Sequence, residues 1–439
     1  MDTPAPGDLG LLLGRAGPGG ALAPPAAQPA RRVAVYRSPV LPISETFIRD
    51  QLAAMRRWHP VLLGDTLVAP HPPLGDLQLA IAHRDTPAGR FARRTCRVAE
   101  WLGAGSPRKL ALLRRIGPQL LHAHFGTDAV HVWPLARRLG VPMVATLHGY
   151  DIHTHEQWWH DGHGGRMMRD YPQRLRAMGA DPRVHFIAVS TAVRERALAL
   201  GLPPDRVLVR YIGVDTRRFV PGALPISQRA RTVLFVGRLV EKKGARYLLE
   251  AAASLREHVP DLRIVLIGEG PQRAELTALA AELRVDAQFM GHQPHDEVRR
   301  QLESARLLCL PSVTATNGDS EGLGIVLLEA QACGVPVVTS AHTGAEAIVD
   351  QVTGFGVQQR SAPALAAALQ TLLADDARAD AMSQAAVRWV RERFDLASCT
   401  DGLETLYDEL LAGAAPAISP AISPAVTSAV TPISRAAAA

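Results

Sequence analysis

Short apolar runs alternate with amphipathic stretches along most of the chain, and this alternation restricts the fold more than any other feature. RRVAVYRS opens the pattern, a helical stretch follows at 44–58, and further apolar runs occupy 119–125, 142–148, 184–190 and 207–213. Strands that alternate with helices pair in parallel, because each helical crossover returns the chain to the same edge of the sheet. A parallel sheet covered by helices on both faces is therefore predicted.

The alternation breaks once and then restarts. Segment 217–231, RRFVPGALPISQRAR, is rich in proline and polar residues, so we interpret it as an interdomain linker. Beyond it, strands are predicted at 232–239, 261–268, 287–291, 306–313 and 336–340. Two doubly wound α/β domains of this kind face each other across a cleft. Ligands bind such sheets outside the carboxyl ends of the strands.

The length of 439 residues fits this division, because a chain of that size rarely builds one core. Both ends have a low-complexity composition that cannot bury enough apolar surface to fold. The predicted organisation is a disordered extension at 1–30, domains at 31–216 and 232–394, a terminal helix at 395–412, and a disordered tail at 413–439.

Composition indicates a soluble protein, with 47% hydrophobic and 21% charged residues. The four cysteines are scattered and form no metal-binding spacing, which favours a reducing compartment. No apolar run approaches the length of a membrane span, and the first residues lack the basic region of a signal peptide. A cytoplasmic location is expected.

The stretch EGLGIVLLEAQACGVPVV reads as loop, helix, glycine stop and strand. Gly322 and Gly324 allow close backbone approach before the helix, and the N–H groups at the helix start suit a phosphate. Glu321 is placed in the loop and Glu329 about one turn inside the helix. One of these carboxylates can bind sugar hydroxyls while the other binds ribose hydroxyls.

A second constellation is FVGRLVEKKG. A predicted strand ends at Gly237, Arg238 follows at once, and Lys243 precedes Gly244 and a helix. A diphosphate needs positive charge fixed at the carboxyl end of a strand, and an arginine with a lysine supplies it. Lys242 is a weaker candidate for the same task.

LIGEGPQR contains two of the three glycines of a dinucleotide-binding loop. No glycine-rich fingerprint follows the first strand of either domain, which argues against a nicotinamide enzyme. Glu269, between the two glycines, is either a cleft residue or an ordinary loop residue.

In the first half, ATLHGYD ends a predicted strand and places His148 and Asp151 at the rim of the cleft. His148 can act on an acceptor or contact the transferred group, whereas the alternating His122 and His124 of LHAHF are expected to be structural. The triplet Ser44, Glu45 and Thr46 opens a helix; Ser44 is its expected N-cap, and the triplet otherwise lines the cleft.

Other signals are absent or weak. The histidines of HEQWWH are five apart, so this is not a zinc-protease helix, and no DxD motif is present; no metal site and no cofactor are expected. The stretch 84–115 is rich in arginine and lysine, and Arg93, Arg94 and Arg97 accompany Val98 and Trp101 on one helical pattern. It can touch anionic lipid headgroups, or it is a solvated helix; the scarcity of aromatic residues argues against nucleic acid.

With these residues identified, the chain resembles the retaining GT-B glycosyltransferases of family 4, and within them the bacterial exopolysaccharide transferases of colanic-acid type. The resemblance spans roughly 33–411 and is carried by FVGRLVEKKG, LIGEGP, SEGLGIVLLEAQACGVPVV, SETF and the HAHF with LHGYD pattern. SPVLPISETF replaces the glycine-rich loop that many members carry after the first strand. The segment 395–412 is similar to the terminal helix of this family, which implies that it crosses back to the first domain.

The resemblance implies a donor site for a nucleotide sugar in the second domain and an acceptor side in the first. Arg238 and Lys243 would bind the diphosphate beside Gly237, and Glu329 would bind the ribose. The candidate catalytic residues are Glu321, at the donor sugar, and His148, near it. Backbone N–H groups would assist at Gly322, Leu323 and Gly324.

The function expected from the resemblance is retaining, metal-independent transfer of a hexose-type sugar from a nucleotide sugar to a glycan or lipid-linked acceptor. Such an enzyme would lie in the cytoplasm or peripherally on the inner face of the membrane. Two alternatives stay open: a nucleotide-sugar epimerase of the same fold, and a non-catalytic scaffold that binds nucleotides or glycans. The presence of all four charged donor-site residues argues against the scaffold.

Overall fold

The computed structural model describes residues 11–13, 31–42, 45–67, 71, 73–83, 86–101, 103–340, 345–414 and 416. The described chain folds into two compact units. The first contains the residues up to Arg218, the internal segment 314–325 and the chain from Val390 onwards; the second contains 219–313 and 326–389.

The first unit is built on an eight-stranded sheet. Its strands are β1 (Leu11–Leu13), β2 (Arg32–Tyr36), β3 (His59–Gly64), β4 (Gln78–Ile81), β5 (Leu120–His124), β6 (Met143–Leu147), β7 (Val184–Ala188) and β8 (Val207–Val209). The spatial order is β1-β4-β3-β2-β5-β6-β7-β8, and every pairing except β1 with β4 is parallel. The prediction of a parallel sheet is confirmed.

Helices connect these parallel strands, as the amphipathic stretches predict. They are α1 (Thr46–Ala54), α2 (Pro87–Trp101), α3 (Pro107–Ile116), α4 (Gly126–Leu139), α5 (Tyr150–His153), α6 (Glu156–His160), α7 (Tyr171–Gly179) and α8 (Thr191–Ala199). The described helix α1 begins at Thr46 with Glu45 at its N-cap position, one residue beyond the predicted cap.

Two parts of this sheet differ from the sequence prediction. Leu11–Leu13 pair with Gln78–Ile81, although residues 1–30 were predicted to be disordered. A strand at a sheet edge exposes unpaired N–H and C=O groups, so even a three-residue apolar run can pair with it. Strands β3 and β4 were not predicted, because they are short and are separated by a proline-rich segment.

The second unit is built on a six-stranded parallel sheet. Its strands are β9 (Thr232–Val236), β10 (Arg263–Ile267), β11 (Ala287–Gly291), β12 (Leu307–Leu310), β13 (Val337–Ser340) and β14 (Gly354–Val357). Their order is β11-β10-β9-β12-β13-β14, which is doubly wound. The connecting helices are α9 (Ala245–Leu255), α10 (Arg273–Glu282), α11 (His295–Ser304), α12 (Ile325–Ala332) and α13 (Ala362–Ala374).

Helix α14 (Asp376–Arg393) carries the chain back to the first unit, where α15 (Leu396–Leu411) packs on α1. One carboxylate oxygen of Glu404 accepts hydrogen bonds from the backbone N–H groups of Arg56, Arg57 and Trp58, at 3.0, 2.7 and 2.8 Å. Tyr407 is fully buried in the core of the first unit. The last helix is therefore an integral part of that unit.

The segment predicted as a linker, 217–231, is largely packed into the second unit. Phe219 and Ile226 are each only 2% exposed, and the Ser227 hydroxyl donates to Asp380 at 2.7 Å. None of the helices in the described part of the chain has the length and apolarity that crossing a bilayer requires.

The basic stretch 84–115 is only partly a surface feature. Lys109, on α3, is fully buried; its ammonium group lies 2.6 Å from Asp65 and 2.8 Å from Glu100. It also donates to the hydroxyl of Tyr36 at 2.6 Å. Buried charges persist only when they are paired in this way, so Lys109 anchors α2 and α3 to the sheet and is not available to a membrane.

Candidate functional site

The carboxyl edge of the second sheet has one topological switch point, between β9 and β12. The chain leaves β9 toward β10 and β11 on one side, whereas β12, β13 and β14 lie on the other. The chain therefore leaves β9 and β12 in opposite directions, and such a point is the usual ligand site of a doubly wound sheet. The loop after β9 is the predicted phosphate-binding loop.

This loop, 237–244, is fastened to the end of β12. The N–H group of Val313 donates to the carbonyl of Lys242 at 2.8 Å. Gly244 has φ +67° and lies so close to Pro311 that a Cβ would be 2.0 Å from its carbonyl oxygen. The stem of Lys243 packs on Gly237, where a Cβ would lie 3.4 Å from Cδ of the lysine, and Arg238 is exposed. Two predicted diphosphate-binding side chains thus lie on one rigid loop.

The glycines of LIGEG have a structural task in this arrangement. A Cβ at Gly268 would lie 1.9 Å from the carbonyl oxygen of Gly237, and one at Gly270 would lie 2.3 Å from that of Leu239. The two loops also share a hydrogen bond from Leu239 N–H to the Glu269 carbonyl at 2.9 Å. The pair of glycines therefore permits backbone contact between neighbouring loops.

Glu269 itself points to a neighbouring cation. Its carboxylate accepts a hydrogen bond from Arg273 at 2.6 Å, in an ion pair whose side chains are 54% and 36% exposed. The glutamate considered as a cleft residue is thus engaged on the surface of α10.

Glu329 lies one turn into α12, as predicted, and is 8% exposed. Its Oε1 is 2.9 Å from Nε2 of His295, the first residue of α11. The ring of Phe219 packs edge-on against His295 at 5.2 Å. No local sequence pattern indicates His295, because its partner lies 34 positions away.

The loop that carries Glu321 belongs, by its contacts, to the first unit. A Cβ at Gly322 would lie 2.1 Å from the carbonyl oxygen of His148, and one at Gly149 would lie 3.0 Å from that of Ser320. Gly322, Leu323 and Gly324 are all buried, whereas Glu321 is half-buried. The two candidate catalytic residues, Glu321 and His148, therefore lie on segments in direct backbone contact.

Asp151 holds the His148 segment in place. One of its carboxylate oxygens accepts the backbone N–H groups of His148 and Gly149, each at 3.0 Å, and the other accepts that of Gly126 at 2.6 Å. Burial raises the pKa of this carboxyl group, while the three backbone hydrogen bonds lower it. Its oxygens are turned inward to the backbone, so it positions His148 and Gly149, which has φ +128°.

His148 is not an isolated side chain. Its Nε2 lies 3.0 Å from Nδ1 of the buried His124, and the rings of Phe125 and Phe47 lie 4.3 and 5.4 Å away. Burial, Arg37 and His122 together lower the pKa of His148 well below its usual value. His148 is therefore neutral near pH 7 and acts there as a hydrogen-bonding group.

The three residues predicted to open α1 differ in their surroundings. Ser44 lies outside the described residues, and Thr46 is half-buried. Glu45 is 8% exposed and forms a two-point hydrogen bond to Arg37, with both N–O distances 2.6 Å. Arg37 also donates to Asp128 at 2.9 Å. Glu45 is thus part of a buried ion cluster at the switch point of the first sheet, between β2 and β5.

The two histidines of HEQWWH lie at the two ends of α6. The ring of His155 packs against Gly318, and the backbone N–H of His155 donates to the Asn317 carbonyl at 2.9 Å. His160 hydrogen-bonds Gln173 at 3.0 Å. Within the described residues, no group of three or more histidine, cysteine, aspartate or glutamate side chains is arranged to hold a metal ion.

Comparison with known families agrees with this architecture. A model described as Glycosyltransferase Family 4 matches residues 44–218, and one described as Glycosyl transferases group 1 matches residues 217–389. Together they span residues 44–389.

Two individual relatives are also named as glycosyltransferases. A Salmonella typhimurium glycosyltransferase named for colanic acid biosynthesis is 30% identical over 364 residues, which is 74% of this chain and 86% of that protein. A Mycolicibacterium smegmatis GDP-mannose-dependent phosphatidylinositol monomannoside mannosyltransferase is 35% identical over 278 residues, covering 60% of this chain and 69% of that protein.

A solved structure supports the fold. The Anabaena protein HepE in complex with UDP-glucose superposes with a TM-score of 0.67, at 19% identity, over 86% of this chain and 99% of that chain. The two doubly wound sheets described above are the building blocks of the GT-B fold. The chain therefore belongs to the group 1 glycosyltransferases of family 4, and it is a glycosyltransferase with the GT-B fold.

Proposed function

We propose that this glycosyltransferase moves a hexose-type sugar from a nucleotide sugar to a glycan or lipid-linked acceptor during the synthesis of an extracellular polysaccharide. Support for the donor class comes from the loop 237–244, which fixes Arg238 and Lys243 at the switch point of the second sheet. This is the observation that carries the proposal, because two cations on a rigid loop suit a diphosphate. Support for the pathway comes from the Salmonella relative, which is named for colanic acid biosynthesis.

The residue roles follow from chemistry and placement. Arg238 and Lys243 bind the diphosphate, and Glu329, oriented by its hydrogen bond to His295, accepts the ribose hydroxyls. Glu321 and His148 contact the transferred sugar. Glu321 stabilises charge that develops at the reacting carbon, whereas the neutral His148 hydrogen-bonds a sugar oxygen.

We propose that no metal ion takes part. The diphosphate leaving group gains negative charge as the bond to the sugar breaks, and Arg238 and Lys243 supply the opposing charge. Activity should survive chelation with EDTA. Loss of activity with EDTA and recovery with Mn²⁺ would show that a metal does this work.

The relatives differ in the base of the nucleotide sugar, so an experiment has to identify the donor of this enzyme. The Anabaena neighbour binds UDP-glucose, and the mycobacterial relative is named as GDP-mannose-dependent. Screening nucleotide sugars for thermal stabilisation, and then measuring nucleoside diphosphate release with and without acceptor, identifies the donor. Release that needs acceptor supports transfer; conversion of the sugar without acceptor would support an epimerase instead.

Retention of configuration is tested on the product. NMR of the new glycosidic bond should show the same anomeric configuration as the donor sugar. We propose that departure and attack occur on the same face of the sugar, so an inverted product would contradict this mechanism.

We also propose that α2 brings the enzyme to an anionic membrane that carries its acceptor. Phe91, Val98 and Trp101 of this helix are 71%, 42% and 47% exposed, and Arg94 and Arg97 are exposed beside them. Apolar side chains with flanking arginines on one helix suit the headgroup region of a bilayer.

Vesicle sedimentation tests the membrane proposal. The enzyme should sediment with vesicles containing phosphatidylglycerol and not with neutral phosphatidylcholine vesicles. Binding should be lost when Arg93, Arg94 and Arg97 are changed to glutamate. A matched variant reverses three exposed arginines elsewhere, Arg138, Arg388 and Arg391, and should still bind. Equal binding to both vesicle types would contradict the proposal.

A further inference from the structure

Three imidazole rings lie against one another in the first unit, where β5 and β6 end. The rings of His122 and His124 stack with centroids 4.6 Å apart, and those of His124 and His148 stack at 5.2 Å. His124 Nδ1 and His148 Nε2 are hydrogen-bonded at 3.0 Å. A hydrogen bond between two imidazole nitrogens contains one proton, so one ring donates and the other accepts.

All three rings are neutral at physiological pH. Burial lowers the pKa of His122 to about 3. It also lowers the pKa values of His124 and His148 well below their usual range, and Arg37 adds to the effect at both. Each ring therefore carries a single proton, and the position of the proton on His124 decides which atom of His148 is protonated.

The free nitrogen of His124 decides between the two arrangements. His124 is 0% exposed, and its Nε2 has no hydrogen-bond partner among the described residues. A proton on that nitrogen would bury an N–H donor without an acceptor, which folded proteins avoid more strictly than an unused acceptor. The proton is better placed on Nδ1, within the hydrogen bond to His148.

We propose that His124 is a positioning residue that donates from Nδ1 to Nε2 of His148 and thereby fixes His148 with its proton on Nδ1. The outer edge of His148, which is half-buried, then presents a hydrogen-bond donor. Phe125 packs against the same ring, so its plane is held as well as its tautomer. The group that this edge recognises is an acceptor atom, namely a hydroxyl or ring oxygen of the transferred sugar; this part rests on the proposed role of His148.

The position of the proton is measurable without any substrate. In the full-length enzyme labelled with ¹⁵N-histidine, long-range proton–nitrogen NMR spectra distinguish a protonated ring nitrogen from a bare one. The His148 signals are those lost in His148→Gln. We expect a protonated Nδ1 and a bare Nε2 in the wild type; a protonated Nε2 at His148 would overturn the proposal.

Two substitutions at His124 test the donor itself. His124→Phe keeps a stacked ring but removes the donor, so His148 should shift its proton toward Nε2, and kcat should fall about tenfold, the scale of one neutral hydrogen bond. Nucleoside diphosphate affinity should not change. His124→Asn can place an amide N–H near the original Nδ1 and should restore both the tautomer and kcat.

A control separates this effect from a general loss of packing. His185, on β7, is another buried histidine of the same sheet and takes no part in the stack. His185→Phe should leave the His148 spectrum and kcat unchanged. An unchanged His148 tautomer in His124→Phe would overturn the role of His124 and leave the proposed role of His148 standing. Full activity in His148→Ala would refute only the proposed role of His148.

Discussion

The carbonyl oxygen of His148 lies directly against the α-carbon of Gly322, where a Cβ would be only 2.1 Å away. The contact joins two segments that are far apart in sequence and that carry the two candidate catalytic side chains. It explains why this position has no side chain: any Cβ would push the Glu321 loop away from the strand end that bears His148.

The first prediction concerns that contact. Gly322→Ala should displace the Glu321 loop and lower kcat by at least about tenfold, since positioning errors of an ångström have effects of that size or larger. Gly402, in α15, is a matched control because a Cβ there meets nothing within 4 Å. Gly402→Ala should leave kcat unchanged and raise stability slightly. Wild-type kcat in Gly322→Ala would show that the loop tolerates movement.

The second prediction concerns the basic loop. Arg238→Ala and Lys243→Met should each weaken nucleoside diphosphate binding by about 1.5–3 kcal/mol, the contribution of a charged hydrogen bond. Methionine keeps the stem that packs on Gly237 and removes only the ammonium group. Calorimetric titration measures the change. Arg246→Ala is the control, because that exposed arginine is already paired with Glu275.

Two outcomes of this titration would contradict the role of the loop in phosphate binding. If both loop variants bind nucleoside diphosphate as the wild type does, the phosphate is bound elsewhere. If Arg246→Ala weakens binding equally, the effect is one of net charge and not of the loop.

The third prediction concerns acid stability. Burial lowers the pKa of His122 to about 3, so this ring stays neutral in the folded state and gains a proton on unfolding below its usual pKa of about 6.5. The unfolded state then binds more protons, and stability falls as pH falls from about 6.5 toward 3, by about 1.4 kcal/mol per pH unit for this group.

Other buried groups also affect how the free energy of unfolding changes with pH. His83 has a pKa lowered to about 4 by burial and acts in the same direction. Burial raises the pKa of Asp128 to about 6, so its folded form binds a proton more readily than its unfolded form and opposes the histidines below that pH. A single substitution is therefore needed to isolate His122.

Urea unfolding at several pH values between 4 and 6.5 provides that test. Tryptophan fluorescence reports mainly on the first unit, since every tryptophan except Trp389 belongs to it. His122→Phe also loses hydrogen bonds to Tyr407 and Thr146, which shifts stability at all pH values. The free energy of unfolding of this variant should fall less steeply as the pH is lowered, by about 1.4 kcal/mol per pH unit. A slope equal to that of the wild type would contradict the prediction.

Much of the fold was predictable because the periodicity is strong. The predicted runs at 119–125, 142–148, 232–239 and 261–268 each contain a strand, and the glycines at 322 and 244 stand where close backbone approach requires them. Local patterns were sufficient here, since an apolar run between helical segments allows few other structures.

What the sequence did not reveal depends on contacts between distant residues. His295 is 34 positions from Glu329, and Tyr407 is 285 positions from its partner His122. Lys109 was counted with a basic surface, although the fold buries it between two acids. Likewise, no local pattern indicates that the loop 314–325 packs with the first unit.

We propose that Glu321 and Glu329 bind different parts of one donor. Interactions made mainly in the transition state change kcat, whereas uniform binding interactions change KM and nucleotide affinity. Glutamine is nearly the same size as glutamate, so the two amide variants differ from the wild type mainly in charge. This makes them a matched pair.

The most direct measurement is therefore nucleoside diphosphate affinity, by calorimetry, beside steady-state kinetics for Glu321→Gln and Glu329→Gln. We predict that the Glu321→Gln variant has a strongly lowered kcat and binds nucleoside diphosphate nearly as the wild type does. Glu329→Gln should weaken binding of both the bare nucleotide and the donor. Reversed effects would exchange the two roles, and wild-type values in both variants would contradict the proposed donor site.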